Sequence, residues 1–351
     1  MISSEHKRFL AVLGVLLLLG LVLSVFKPPP LTPAGVRFEG RTMGTYYIIT
    51  LAGSQLPAAE TERLHRLVEA ELRAINQAMS TYIPDSEISR FNAAPGVEPF
   101  EISPAFRTVM ERAFELHRET NGYFDPTLGP LINLWGFGHT GVPENTPGEA
   151  EISAQLAKVG LDRIRLTEEG LIKESPELAL NLSAIAKGFA ADQLLSLLLD
   201  EGYVNVFVEI GGDVAVRGKN PAGSPWRIGI QVPERDGPED ILKVLGMDAG
   251  GMATSGDYRI YREEHDGFAH HILNPRTGRP AESTLTSVTV IAADCMTADA
   301  ISTGLFAMGT EAGLDWVNRR PGLEALFIDR LDGKFIHSPS EGFGRYVLER
   351  L

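Results

Sequence analysis

Three short alternating stretches, "YVNVFVEI", "DVAVRG" and "WRIGIQV", follow one another between residues 203 and 232. A similar group, "LTSVTVIA", "EALFIDR" and "GKFIHS", comes near the end, with one helical stretch inside it. Each run reads as a short strand. Hairpin strands in succession, with helices between the groups, predict an α+β layered fold with largely antiparallel sheets and flanking helices. They argue against a doubly wound parallel sheet. "VRFEGRTMGTYYIITL" adds a further strand pattern near the start, interrupted by a turn-like Met43-Gly44.

Helical periodicity fills the remaining segments. Leu64, Leu67, Val68, Leu72, Ile75 and Met79 predict an amphipathic helix over 61–79. A second helix is expected from Pro104 to about Thr120, with proline near its start and Asn121-Gly122 at its end. A third is expected from near Ser183 to before Gly202, and a fourth over Cys295 to Met308. With 44% hydrophobic and 22% charged residues, the chain has enough apolar material for a large core, so disorder is not expected.

The first residues differ from the rest. His6, Lys7 and Arg8 precede an uncharged apolar run from Phe9 to Phe26, just long enough to cross a bilayer as a helix. Positive residues before the run keep that end cytoplasmic. The residues at its end, Ser24 followed by Val25 and Phe26, make a poor cleavage site, and no nearby cysteine offers a lipid attachment. The expected organisation is a cytoplasmic n-region (1–8), an uncleaved membrane-anchor helix (9–26), a Pro-rich linker (27–35) and one domain (36–351) outside the inner membrane. Cleavage is the alternative. A net charge of −14 makes nucleic acid an unsuitable partner, and an anionic ligand needs a local lysine, helix N-terminus or metal to reverse the field.

Several polar motifs interrupt the apolar pattern. In "DCMTADAISTG" (294–304), Asp299 and Thr303 lie four apart, on one helix face, where a carboxylate and a hydroxyl can share a hard cation. The alternative is a solvated Asp299 and a Thr303 bonded back to its own helix. "NLSAIAKGFAADQL" offers Ser183 as an N-cap, Lys187 in the first turns of a helix, and Gly188 for close approach, a phosphate-site pattern that also occurs on surface helices. "NGYFDPTLGPLINLWGFG" mixes glycines with aromatics and must fold against the core or against a flat ring system. "VEIGGDVAVRG" lacks GxGxxG and runs into a strand, which excludes a Rossmann loop. In "HHILNPRTGRP", strand alternation sends His270 and His271 to opposite faces, so at most one readily points into a site. One cysteine and no HExxH make a zinc centre improbable.

In their order along the chain, "MGT", "MSTYIPDSEISRFN", "GYFDPTLGPLINLWGFG", "LSAIAKGFAADQL", "IGGDVAVRG", "PWRIGIQVP", "ATSGDYRIY", "HHILNPRTGRP" and "SVTVIAADCMTADAISTGLFAMG" closely resemble the ApbE family of FAD:protein FMN transferases. The resemblance spans roughly residues 36 to 345. It implies an ApbE-like fold and a periplasmic, magnesium-dependent enzyme that splits FAD and joins FMN to a threonine or serine of a target flavoprotein. Subunits of quinone reductases are typical targets in the family.

Carried over by position, the resemblance assigns Met43, Tyr82, Phe124, Asp125, Pro126, Lys187 and Ile272 to FAD contact. It assigns the Ala184 carbonyl, Asp299 and Thr303 to the magnesium ion. Asn181 stands at a further flavin-binding position where the family usually carries an acid, and the cysteine that follows the signal in lipoprotein members is missing. Attack of a hydroxyl on a pyrophosphate needs charge neutralisation, which magnesium and Lys187 can supply, and a proton acceptor, for which His271 and Asp299 are the candidates. An FAD pyrophosphatase and a non-catalytic FAD-binding protein are the competing readings.

Overall fold

The computed structural model describes residues 35–53, 55–235, 240–264, 267–281 and 283–350. The expected anchor at 9–26 and all of the linker except Gly35 lie outside the described residues. Among the described residues no helix is long and apolar enough to cross a membrane.

In chain order the first strands are β1 (Val36–Thr42), β2 (Thr45–Leu51), β3 (Ile164–Thr167), β4 (Gly170–Lys173), β5 (Val206–Ile210), β6 (Asp213–Arg217) and β7 (Trp226–Gln231). They are followed by β8 (Ile241–Met247), β9 (Ala249–Gly256), β10 (Tyr261–Glu264), β11 (Gly267–His270) and β12 (Leu285–Ala292). The last are β13 (Glu324–Leu331), β14 (Lys334–Pro339) and β15 (Val347–Arg350). The helices are α1 (Ala58–Met79), α2 (Glu87–Ala93), α3 (Pro104–Glu119), α4 (Gly129–Leu134), α5 (Glu149–Leu156), α6 (Ala186–Asp200), α7 (Cys295–Met308) and α8 (Thr310–Asn318).

An eight-stranded sheet in the order β1-β2-β5-β6-β9-β12-β13-β14 forms the centre, and every neighbouring pair in it is antiparallel. The expected α+β class with largely antiparallel pairing is therefore what forms. The β1–β2 hairpin turns at Met43 (φ 49°) and Gly44 (φ 73°), the pair of positive φ values that a tight hairpin turn requires. Strand β12, "LTSVTVIA", is buried along its whole length because both faces of the sheet are covered. One face carries α6, over β5 and β6, and α7, over β9 and β12. A three-stranded sheet, β15-β8-β7, supplies Trp226, Ile228, Ile230, Leu245 and Met247 to the core against Val214, Val216, Met252, Ile291, Leu326 and Ile328 of the large sheet.

Helix α1 starts three residues earlier than its apolar spacing predicts, directly after Pro57, and buries Leu64, Val68, Leu72, Ile75 and Met79. Helix α3 has Ser103 as N-cap, Pro104 in its first turn, and Asn121 and Gly122 in the left-handed conformation after it. Helix α6 departs from expectation, beginning at Ala186 rather than near Ser183. The Asn181 side-chain oxygen accepts the Ser183 amide (3.0 Å) and hydroxyl (2.6 Å), a local turn that holds Ser183 out of the helix, so Ser183 is not its cap. The aromatic-glycine stretch is a short helix, α4, followed by a loop, and it packs with Leu128, Leu131, Trp135, Ile152, Ala269 and Leu273 in a separate small core. Trp135 Nε1 donates to the Gly278 carbonyl at 2.8 Å, fixing this lobe to the "NPRTG" turn.

Candidate active site

Helices α6 and α7 cross where Gly188 meets Cys295. A Cβ at Gly188 would lie 2.3 Å from the Cys295 carbonyl oxygen, so only glycine permits the approach. The free amides at the start of α7 are taken by two carboxylates. Asp294 accepts from Thr297 N at 2.7 Å, and Asp192 of α6 accepts from Cys295 N at 2.9 Å and Met296 N at 2.8 Å. This clamp fixes the face of α7 that carries Asp299.

Asp299 is 4% exposed. Its Oδ2 accepts from Gly188 N at 3.0 Å and its Oδ1 lies 3.5 Å from Lys187 Nζ. The Lys187 ammonium also donates to Asp213, which is buried at the start of β6. Burial, with Asp213 adding to it, pushes Asp299 up to about 7 in spite of Lys187 and the Gly188 amide. Burial alone would push Lys187 down, but Asp213 and Asp299 more than reverse this, and the ammonium is held above the usual lysine value. The sequence reading gave Lys187 only a phosphate to face; in the fold its charge is already shared between two carboxylates.

Thr303 lies one turn along α7 from Asp299. Its hydroxyl is 3.1 Å from Ser255 Oγ of β9 and 3.5 Å from the Asp299 carbonyl, so the bond back to its own helix is at the limit of length. Ser255 also contacts Ser302 Oγ at 2.8 Å. Asp299 is thus not solvated, and the Thr303 hydroxyl has its shorter contact on the neighbouring strand. Among the described residues no three His, Cys, Asp or Glu side chains come together as a metal cluster. The Asp299 carboxylate and the Thr303 hydroxyl, one turn apart on α7, instead make a sparse all-oxygen donor set, to which the family resemblance would add the carbonyl of Ala184, two residues before α6. It fits a small hard divalent cation that keeps water and substrate oxygens as its other ligands. The two buried carboxylates against one ammonium leave a negative surplus that such a cation would neutralise.

The aromatic-glycine segment borders this centre through Gly304 of α7, where a Cβ would sit 3.4 Å from Phe124 Cβ. Phe124 is buried and its carbonyl accepts from His117 Nδ1 at 2.9 Å. Asp125 turns inward to Thr127, accepting from its amide at 2.8 Å and its hydroxyl at 2.5 Å, and burial pushes its carboxyl up against those opposing contacts. The Pro126 carbonyl accepts from Asn181 N at 2.7 Å, joining this segment to the one that leads to Ala184. The side chains of Phe124, Asp125 and Ile272 are buried, so an open surface here comes from their backbone and neighbours. Met43 is half-buried at its hairpin turn. Tyr82 is 68% exposed, with its hydroxyl 3.4 Å from the Phe137 carbonyl and its ring edge-on to His139.

The two histidines have different partners. His270 is buried, with Nε2 at 3.1 Å from the Ala281 carbonyl and Nδ1 accepting from Ile272 N at 3.3 Å, so both ring nitrogens serve the backbone. His271 donates from Nδ1 to the Ile260 carbonyl at 3.1 Å and meets Phe137 edge-on. Its Nε2 has no hydrogen bond among the described residues and keeps its lone pair. Burial, with His270 and Lys187 adding to it, pushes His271 down to about 4, which holds the imidazole neutral near pH 7. Residues that sequence reasoning passed over are Asp192, Asp213 and Ser255, although each lies inside a quoted motif.

The ApbE family model matches residues 43–327. The FAD:protein FMN transferase of Haemophilus influenzae is 40% identical over 313 residues, covering 88% of this chain and 90% of that protein. The protein of the same name from Vibrio cholerae is 39% identical over 312 residues, 89% of this chain and 92% of its own. Among solved structures, the flavin transferase ApbE from Vibrio cholerae superimposes with a TM-score of 0.81 at 38% identity, over 89% of this chain and 99% of that one. The apo form of the Pseudomonas stutzeri flavinyl transferase ApbE gives 0.81 at 35% identity, over 91% and 98%.

Proposed function

The chain belongs to the ApbE family, and on that premise we propose that it is a magnesium-dependent FAD:protein FMN transferase acting on a threonine or serine of a target flavoprotein. The observation that carries the reading is the buried Asp299, held at the α6–α7 crossing by the Gly188 amide and faced by Lys187 and Thr303. A protein that only stored FAD would not require a catalytic ion beside that carboxylate.

In the proposed reaction the acceptor hydroxyl oxygen bonds to the phosphorus of the FMN half. The bond from that phosphorus to the bridging oxygen breaks, and AMP leaves with the oxygen. Asp299, Thr303 and the Ala184 carbonyl would hold the magnesium ion, which when bound supplies positive charge to the pyrophosphate oxygens. Of the two proton acceptors, His271 is favoured, because Asp299 is committed to the Gly188 amide and Lys187 while His271 Nε2 is free among the described residues. The imidazole starts neutral, and the charge of an entering pyrophosphate raises its proton affinity from the low value of the free protein. Lys187 holds Asp299 and Asp213 in place and adds one charge to the field at the phosphates. Tyr82 and Phe137 at the open edge offer aromatic surface to a ring system.

The domain is proposed to work in the periplasm, tethered to the inner membrane through residues 9–26, on the basis of Lys7 and Arg8 before that apolar run. Fractionation that recovers a soluble protein starting near residue 28 would reject the tether and leave export intact. A flavoprotein subunit of a quinone reductase is the proposed type of acceptor. Purified protein, FAD, magnesium and a threonine-bearing acceptor test the activity. Covalent FMN on the acceptor supports transfer, free FMN and AMP alone make the protein a pyrophosphatase, and unchanged FAD makes it a binder.

A further inference from the structure

Lys173, the last residue of β4, is 1% exposed and no carboxylate contacts it among the described residues. Its ammonium donates instead to three backbone carbonyls, Asn92 at 2.8 Å, Leu178 at 3.1 Å and Pro176 at 3.3 Å, and lies 5.2 Å from the centre of the Phe91 ring. A lysine has three N–H donors, and here the backbone takes all three. Burial nevertheless lowers its pKa, so the charge is costly where it stands. An apolar side chain of the same length would fill the space without that cost, so packing alone does not explain a lysine.

Asn92, at the end of α2, completes the contact. Its Nδ2 donates to the Leu180 carbonyl at 2.9 Å and its Oδ1 accepts from Leu180 N at 2.7 Å, as a partner strand would. The two side chains therefore hold residues 176–180 to α2 and β4. The next residue, Asn181, bonds through its amide to the Pro126 carbonyl, and Ala184 and α6 follow. The segment is irregular, so these contacts, rather than a helix or sheet ladder, set its path.

We propose that Lys173 and Asn92 are positioning residues of the transfer site, fixing the 176–181 segment so that the Ala184 carbonyl and the Phe124–Pro126 backbone keep their places beside α7. The proposal rests on the flavin-transfer reading. It gives each residue a role at a distance from the chemistry, exerted through backbone that the substrate and the ion would touch.

Lys173→Met and Asn92→Ala test it, with Leu171→Ala as the control, a fully buried residue of the same strand whose loss weakens the core without releasing the segment. FAD affinity is read by flavin fluorescence without an acceptor, the magnesium requirement by the half-saturating concentration in transfer, and folding by thermal melting. Both variants are expected to bind FAD about tenfold more weakly and to need about ten- to a hundredfold more magnesium, as when support behind a metal ligand is removed. Leu171→Ala should melt at lower temperature with both constants unchanged. The proposal is overturned if folded Lys173→Met and Asn92→Ala keep wild-type constants, or if Leu171→Ala shares their defect. If Lys173→Met does not fold, Asn92→Ala decides the matter. A wild-type protein that binds no FAD would bring down the functional reading and this proposal together, whereas wild-type binding with unaltered variants would bring down this proposal alone.

Discussion

The amide of Gly188 donates to the Asp299 carboxylate at 3.0 Å, across the point where two helices come too close for any side chain between them. The same glycine thus sets the distance between α6 and α7 and orients the Asp299 carboxyl group. Gly188→Ala should separate the helices, at a cost of about 1–3 kcal/mol from overpacking. Urea unfolding should show a lowered midpoint with an unchanged slope. Transfer should fall further than the loss of folded protein accounts for, because Asp299 loses the Gly188 amide as donor.

Lys187→Met should destabilise the protein by about 3 kcal/mol, since it strands the buried Asp213 and Asp299 without their shared cation. The sequence pattern alone offered the lysine only a phosphate-site role. Adding Asp213→Asn should recover part of the stability, and a double-mutant cycle on thermal melting measures the coupling. Additive losses would show that the ion pair is not a unit.

His271 has a folded-state value near 4 against 6.5 for a free histidine. Between those values the unfolded chain binds more protons than the folded one, so this residue's contribution to stability is full above about pH 6.5 and is lost as the pH falls toward 4. His271→Gln should therefore be less acid-sensitive than the wild type over pH 4–6.5. Denaturant unfolding of the two proteins at pH 7 and pH 4.5 checks this; an equal loss for both would show that His271 titrates normally.

The parts of the fold that were legible in the sequence are those whose signal is local. The alternation of β5 and β7, the strand-like runs of β6 and β12–β14, and the helical spacing in α1, α3 and α7 each lie within one element. Strand β9, "AGGMATSG", has no such alternation, yet it is central to the large sheet. Its glycines are there for contact: a Cβ on Gly251 would fall 2.2 Å from Cys295 N, so α7 sits directly on the strand. At the site, the spacing of Asp299 and Thr303 was readable because it is a property of one helix. The partners of Lys187 were not, since Asp213 begins a strand and Asp299 lies in a helix far along the chain, and only the fold brings them together. Ser183 misled because serine before an apolar run reads as a cap, while Asn181 two residues earlier had already claimed it.

The most direct test of the account is transfer by Asp299→Asn at limiting magnesium, read by mass spectrometry of the acceptor. The substitution is nearly isosteric and removes a carboxylate whose burial raises its pKa to about 7, so the variant should melt at the wild-type temperature or slightly higher in metal-free buffer. Thr303→Val, losing a neutral ligand, should weaken magnesium dependence less. With FAD and a threonine-bearing acceptor, the account predicts no covalent FMN from folded Asp299→Asn under conditions where the wild type labels the acceptor. Labelling at the wild-type rate would contradict it, and the acid at the α6–α7 crossing would then be a structural residue.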